Sequence, residues 1–139
     1  MLIAEVSEKF ELSQDTLRYY ERIGLIPRVN RTNSGIRDYT EEDCRWVEFI
    51  KCMRGVGLPV ETLIDYVRLF QQGEETLETR KELLIEQHKQ LLSRMADMQK
   101  VLERLEGKIE RYDQIIGGTD RQITGFSPVF SPKVRGNKD

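Results

Sequence analysis

Apolar residues recur every three or four positions through the first half of the chain, the spacing of a helix with one buried face. The pattern predicts four helices, near residues 3–10, 13–23, 40–55 and 59–73. Ser13 and Thr40 are good N-caps, and Gly24 and Gly73 supply helix ends. The first two helices are separated by a tight turn and therefore predict a helix-turn-helix.

Residues 30–39 carry a different pattern. Asn33-Ser34-Gly35 is a turn signal, and Ile36 and Tyr39 suit short strands. The segment is therefore expected to form a loop or a short two-stranded wing. Residues 1–73 would then make a small, mainly α-helical domain of the winged helix-turn-helix class.

From about Thr76 to Ile116 the apolar positions alternate at spacings of four and three, which is a heptad seam. Two series of residues form it: Leu84, Leu91, Met98, Leu105 and Tyr112, and then His88, Met95, Leu102, Ile109 and Ile116. A helix of roughly 41 residues would be about 60 Å long, too long to pack along so small a domain. A second copy of the chain is the expected partner, because no second helix of matching length is predicted here. His88 is expected to pack in the seam or set its register.

The predicted organisation is therefore a DNA-binding domain over 1–73, a dimerisation helix over 74–116 and a tail over 117–139. Gly117-Gly118 is expected to end the helix. The tail is expected to be mobile, and the alternative is that Phe126 and Phe130 dock against a partner subunit.

Composition excludes several classes of protein. The 139 residues are 38% hydrophobic and 33% charged, with no apolar run near the roughly 20 residues of a membrane span and no signal-peptide pattern. Cys44 and Cys52 are eight residues apart, which is neither a metal-binding nor a redox spacing, so both are expected to be thiols in the cytoplasm. No phosphate loop, nucleophile motif or metal cluster is present, so neither an enzyme nor a cofactor is expected.

The net charge of -2 hides a local excess of cations. Between Leu17 and Tyr39, five arginines stand against Glu21 and Asp38. Arginine and tyrosine suit contacts to a phosphate backbone, and a few base-edge contacts from the second helix would specify sequence. The alternative is a solvated charged face. The expected DNA-binding residues are Thr16, Arg18, Tyr19, Tyr20 and Arg22 on the second helix, Arg37 and Tyr39 on the wing, and Arg54 after it.

Three motifs closely resemble the N-terminal signature of MerR-family transcription regulators. They are Thr16-Leu17-Arg18-Tyr19-Tyr20-Glu21, Gly24-Leu25-Ile26-Pro27 and Arg37-Asp38-Tyr39. The order of elements over residues 1–116 is similar as well. The resemblance implies an antiparallel dimer on double-stranded promoter DNA whose recognition elements are too far apart. It also implies that the dimer bends and untwists this DNA so that RNA polymerase can use it.

The same resemblance suggests an effector class. Metal-sensing members carry cysteines in and after the long helix, and multidrug-sensing members add a large domain; this chain has neither feature. What remains is the branch that senses aldehydes, other electrophiles or nitrosative stress through one cysteine. The segment 49–54 looks similar to the part that holds that cysteine, which indicates Cys52 as the sensor thiol.

The residues themselves leave the role of Cys52 open. It is expected on the flank of an apolar face formed by Trp46, Phe49, Ile50 and Met53, partly buried. Nearby cations favour a thiolate, whereas the C-terminal end of the helix opposes it. The alternative is a small core residue. Cys44 is expected to project away from the apolar face. A coiled-coil adaptor, or a regulator without thiol sensing, is the alternative function.

Overall fold

The computed structural model describes residues 1–118, and within them the regular structure is helical. The helices are α1 (Ile3–Phe10), α2 (Gln14–Ile23), α3 (Glu41–Gly55), α4 (Val60–Gln72) and α5 (Leu77–Gly118), with a 3-10 turn at Glu74–Thr76. The chain divides into two compact units, the first spanning Met1–Lys89 and the second beginning at Gln90. The predicted helices are confirmed to within a few residues at each end.

Local capping explains where the helices begin and end. The Ser13 hydroxyl accepts the Thr16 backbone N–H at 3.0 Å, and Thr40 and Asp43 cap each other at the start of α3. Gly24 ends α2 with φ +89°, a left-handed conformation that glycine adopts without the clash a Cβ would cause.

The core of the first unit collects one apolar face from each of the first four helices. Its largest fully buried side chains include Val6, Leu17, Ile50, Leu63 and Val67. Leu25, Ile26 and Val29 of the loop after α2 are buried as well, so this loop is held against the core instead of lying free. The position of the exposed face of α2 is fixed by this packing.

The predicted wing is a tight loop without regular strands. Arg31 and Arg37 form one isolated antiparallel bridge, and the Thr32 backbone N–H donates to the Ile36 carbonyl at 2.7 Å across the turn. Gly35 takes φ +85° in that turn. Ile36 is exposed, whereas Tyr39 is buried.

Helix α3 is turned relative to the sequence prediction. Cys44, Val47 and Ile50 are buried and Cys52 is exposed, which reverses the expectation for both cysteines. The centre of the buried face, which also includes Trp46, lies roughly 80° from the centre of the predicted one, given about 100° per residue. Trp46 and Ile50 belong to both faces. Both faces carry apolar residues, so the period of α3 alone could not decide which one packs inward.

Thr76 lies at the junction of α4 and α5. Its hydroxyl oxygen is 2.7 Å from the carbonyl oxygens of both Leu69 and Gly73, and it accepts a hydrogen bond from Arg80 Nε at 3.0 Å. The Arg80 guanidinium also lies 5.3 Å from the centre of the Phe70 ring. The first turns of α5 therefore belong to the first unit.

In the second unit, α5 presents the predicted heptad series as exposed apolar side chains. Met95, Met98, Leu102, Leu105, Ile109, Tyr112 and Ile116 are all exposed. Leu84 and His88, in the first unit, are exposed too, and Leu91 is partly exposed. Gly117 and Gly118 still belong to α5, and the remainder of the predicted tail, with Phe126 and Phe130, lies outside the described residues.

Candidate nucleic-acid interface

One hollow of about 860 Å³ in the first unit brings together cations from three neighbouring segments. It is lined by α2, the loop after it and the wing, through Arg18, Glu21, Arg22, Arg28, Val29, Asn30, Arg31 and Arg37. All five arginines counted between Leu17 and Tyr39 are in this set. The charge excess that the sequence indicated is therefore concentrated on one surface, which is the electrostatic footprint of a nucleic-acid contact.

On α2, the predicted polar residues face outward. Tyr19 and Arg22 are exposed, and the Arg22 guanidinium lies 5.5 Å from the centre of the Tyr19 ring. Arg18 is held by Asp15 at 2.9 Å and by the Gln14 amide oxygen at 3.2 Å. Thr16 is half-buried and contributes to the Ser13 cap. This surface can present a phenol and two guanidinium groups to a groove.

Two predicted contact residues lie in the core instead. Tyr20 is 7% exposed and Tyr39 is 2% exposed, so neither presents a side chain to solvent. Burial raises the pKa of the Tyr20 phenol, and the Arg54 guanidinium partly offsets this. Both rings belong to the hydrophobic core, and a direct contact of either residue with DNA stays a prediction.

The Tyr39 hydroxyl has no hydrogen-bond partner within the described residues, although the atom is buried. Burial raises the pKa of the Tyr39 phenol and Arg37 lowers it. Glu21 and Asp43 raise this pKa further, and Arg18 lowers it. Three of these charged groups, Arg18, Glu21 and Arg37, also line the arginine hollow.

Arg37 and Arg54, the remaining predicted cations, have different partners. Arg37 Nε donates to Glu21 Oε1 at 2.7 Å. Arg54 Nη1 donates to the Leu58 carbonyl at 2.6 Å, which holds its guanidinium against the loop between α3 and α4. No role for Glu21 was predicted from the sequence. A role could have been suspected because Glu21 is one of two carboxylates among the five arginines between Leu17 and Tyr39.

Cys52 lies in a separate surface hollow of about 610 Å³ between the ends of α1 and α3. Lys9 and Lys51 line it together with Glu11 and Glu48, so its charges are balanced. Arg45 lines a different hollow, together with the aromatic residues of α3 and α4. Among residues 1–118, no group of three His, Cys, Asp or Glu side chains is placed to hold a metal ion.

The fold and the arginine hollow define a helix-turn-helix DNA-binding protein. The family description "MerR HTH family regulatory protein" matches residues 1–69, and "MerR, DNA binding" matches residues 44–108. A putative MerR family transcriptional regulator from Listeria monocytogenes has 50% sequence identity and a TM-score of 0.84, covering 86% of this chain and 92% of that one. The chain belongs to the MerR family of transcription regulators, and it is not an enzyme.

Two further relatives refine this placement. The HTH-type transcriptional regulator AdhR of Bacillus subtilis is 55% identical over 92 residues, which are 66% of this chain and 66% of AdhR. HiNmlR, a MerR family regulator lacking the sensor domain and solved bound to promoter DNA, has 28% identity and a TM-score of 0.76, covering 84% of this chain and 92% of that one. The similarity to AdhR supports the AdhR-like branch of the family. No helix among residues 1–118 is long and apolar enough to span a membrane.

Proposed function

We propose that this regulator binds promoter DNA in the cytoplasm as a homodimer through the arginine hollow, and that Cys52 reports electrophile stress. The observation that carries the first part is that five arginines from α2, the following loop and the wing line one surface. Arginine contacts to phosphates fix register on the duplex but carry no sequence information. The exposed residues of α2, with Tyr19 and Arg22 among them, would supply base-edge contacts in the major groove.

Dimerisation is supported by the exposed apolar series on α5. A continuous row of apolar side chains at heptad spacing is rarely left in water, because burying it against a second helix is strongly favourable. The antiparallel arrangement of the two long helices is inferred from the resemblance to the MerR family. The activation mechanism is inferred from the same resemblance. In it, the dimer bends and untwists a promoter whose two recognition elements are too far apart, so that RNA polymerase can use it.

Thiol sensing is supported by the exposure of Cys52 and by the open hollow around it. An α,β-unsaturated aldehyde suits this position. The thiolate sulfur forms a bond to the β-carbon, the π electrons move to the α-carbon, and that carbon takes a proton from water. The net reaction is addition of the thiol across the double bond and needs no oxidant. Oxidation or nitrosation of the same thiol is the related possibility.

A regulator without thiol sensing is the second candidate. The lining of the hollow around Cys52 favours it, because Lys9 and Lys51 are matched by Glu11 and Glu48 and the surface carries no excess of positive charge. In that case Cys52 would be an exposed residue without a role in signalling.

Two experiments separate the parts of the proposal. Titrating a labelled promoter duplex at several salt concentrations should show that the affinity falls steeply as salt increases. For Arg18→Ala and Arg37→Ala, the slope of log affinity against log salt concentration should be shallower by the amount that about one phosphate contact contributes. Arg68→Ala removes an exposed cation of α4 outside the hollow and is the matched control. Equal slopes for all variants would rule out the hollow as the DNA surface.

In a transcription assay, Cys52→Ser should still bind the promoter but lose its response to an unsaturated aldehyde, whereas Cys44→Ser should keep the response. If Cys52→Ser stays fully inducible, the thiol-sensing part is wrong while the DNA-binding part is untouched.

A further inference from the structure

Glu21 is a partly buried carboxylate inside the arginine hollow. Its side chain is 10% exposed and that of Arg37 is 22% exposed. A carboxylate on a surface that meets phosphates weakens the attraction to DNA, and taking it out of water costs additional free energy. The hydrogen bonds of its two oxygens must therefore offset both costs.

Each oxygen of Glu21 accepts one hydrogen bond from a different part of the chain. Arg37 Nε donates to Oε1 at 2.7 Å, and the Val29 backbone N–H donates to Oε2 at 3.0 Å. Val29 lies before the wing and Arg37 at its far side, so one carboxylate of α2 holds both ends of the segment that forms the wing. Asp38 N–H donates to the Asn30 carbonyl at 2.8 Å and closes the same segment.

The contact also determines how Arg37 is oriented. Its Nε–H is taken by Glu21, and no other hydrogen bond of Arg37 to residues 1–118 accompanies this one. The two terminal nitrogens are left to donate in the fixed plane of the guanidinium group, which matches the geometry of a phosphate. A freely rotating arginine would offer the same charge without that direction.

We infer that Glu21 is a positioning residue for sequence discrimination: it fixes Arg37 and the wing relative to α2, at the cost of some general attraction to DNA. The inference rests on the proposed DNA contacts of the arginine hollow. It predicts opposite effects on two quantities. Losing the carboxylate should reduce binding to the correct site, because α2 and the wing no longer share one register, while binding to any other duplex stays equal or becomes tighter.

The test uses two duplexes of equal length and composition. One is selected by the wild-type protein from a random-sequence pool, and the other is its shuffled version. Glu21→Gln should lower the ratio of the two affinities about tenfold, which is the discrimination that one base-edge contact of α2 provides and that a shifted register would lose. Its affinity for the shuffled duplex should not fall. Glu8→Gln changes the net charge equally at an exposed position of α1 and should leave the ratio unchanged.

Arg37→Lys tests the pair from the other side. Lysine keeps the positive charge but lacks the planar guanidinium group, so Arg37→Lys should lower the ratio of the two affinities as Glu21→Gln does. The ratio for the double variant should be only slightly lower than that for either single variant. If thermal unfolding shows that Glu21→Gln does not fold, the ratio of affinities measured for Arg37→Lys tests the inference on its own.

Three outcomes would overturn the inference: an unchanged ratio in either variant, equal losses on both duplexes, or fully additive effects in the double variant. If Arg18→Ala and Arg37→Ala leave both affinities unchanged, the hollow is not the DNA surface, and that failure is distinct from a failure of Glu21.

Discussion

Lys51 and Phe10 join α3 to the end of α1: the Lys51 ammonium nitrogen donates to the Phe10 carbonyl oxygen at 2.5 Å. The last carbonyls of a helix have no partner within the helix, and a cation there also suits the helix dipole. The contact lies next to Cys52, in the same surface hollow.

Lys51→Met keeps most of the side-chain stem and removes the ammonium group. We expect the free energy of unfolding to fall by about 0.5–1 kcal/mol, since the lost hydrogen bond is exposed and water can replace it. Urea unfolding followed by far-UV circular dichroism measures this. Lys81→Met, at an exposed position near the start of α5, is the control and should change stability little. Equal losses in both variants would mean that the contact contributes nothing specific.

The two cysteines should differ in reactivity. Cys44 is 7% exposed and Cys52 is exposed, so iodoacetamide should label Cys52 at least about tenfold faster in the folded protein. Peptide mass spectrometry at increasing times gives both rates, and labelling in urea should bring them close together. Similar rates in the folded state would contradict the observed orientation of α3.

Gly24→Ala should destabilise the first unit. Gly24 has φ +89°, and a left-handed conformation costs a residue with a Cβ about 1–2 kcal/mol. Space is not the cause, because the added carbon would lie 3.8 Å from Ile64 Cγ2, an ordinary contact. Gly55→Ala is the matched control: it lies in the last turn of α3 with open space around it, and it should be neutral or slightly stabilising. If Gly24→Ala leaves the free energy of unfolding unchanged, α2 does not need a glycine at this position to end.

Tyr39→Phe should stabilise the protein at neutral pH by about 1 kcal/mol, because it removes a buried hydroxyl that has no partner among residues 1–118. The pKa of this phenol is raised in the folded state. The phenol therefore stays protonated in the folded state at a pH where the unfolded chain has begun to ionise. The free energy of unfolding is therefore unaffected by ionisation of this group below the unfolded pKa near 10, and it falls as the pH rises from there through the higher pKa of the folded state.

Urea unfolding between pH 8 and 11 tests this prediction. The free energy of unfolding of the wild type should decline above about pH 10, and less steeply for Tyr39→Phe. Tyr20→Phe should also reduce the decline, since burial raises that pKa as well. An identical decline in all three proteins would show that other groups control the alkaline limit.

Ile109→Glu should dissociate the proposed dimer. Ile109 belongs to the apolar series of α5, and a carboxylate there would have to be buried against the partner helix. Gln114→Glu introduces the same charge at an exposed position outside the apolar series and should leave the dimer intact. Sedimentation velocity distinguishes monomer from dimer. If Ile109→Glu sediments as the wild type does, the heptad series is not the dimer contact.

Helix ends were predictable from sequence because they depend on local chemistry. The α1 and α2 boundaries follow from the Ser13 cap, Gly24 and the spacing of apolar residues, all of which act within a few positions. The clustering of the arginines was also foreseen in outline, since the residues are close in sequence.

Orientation in three dimensions was harder to predict. Tyr20 and Tyr39 were expected at the DNA surface and are buried, because an aromatic ring serves equally well in a core and at an interface. The rotation of α3, which buries Cys44 and exposes Cys52, depends on which neighbouring helix packs against it. The role of Glu21 depends on Arg37, sixteen residues away, and no local pattern reveals such a pair.

The hydroxyl of Thr76 bears on which substitutions the junction of α4 and α5 can tolerate over evolutionary time. Serine retains the oxygen that meets the Leu69 and Gly73 carbonyls and accepts from Arg80, and it loses only a methyl group. Valine reproduces the shape of threonine but removes the hydroxyl's contacts with the Leu69 carbonyl and with Arg80 Nε at a buried position. A scale of similarity based on volume would rank valine as the milder replacement, whereas the junction should accept serine and reject valine.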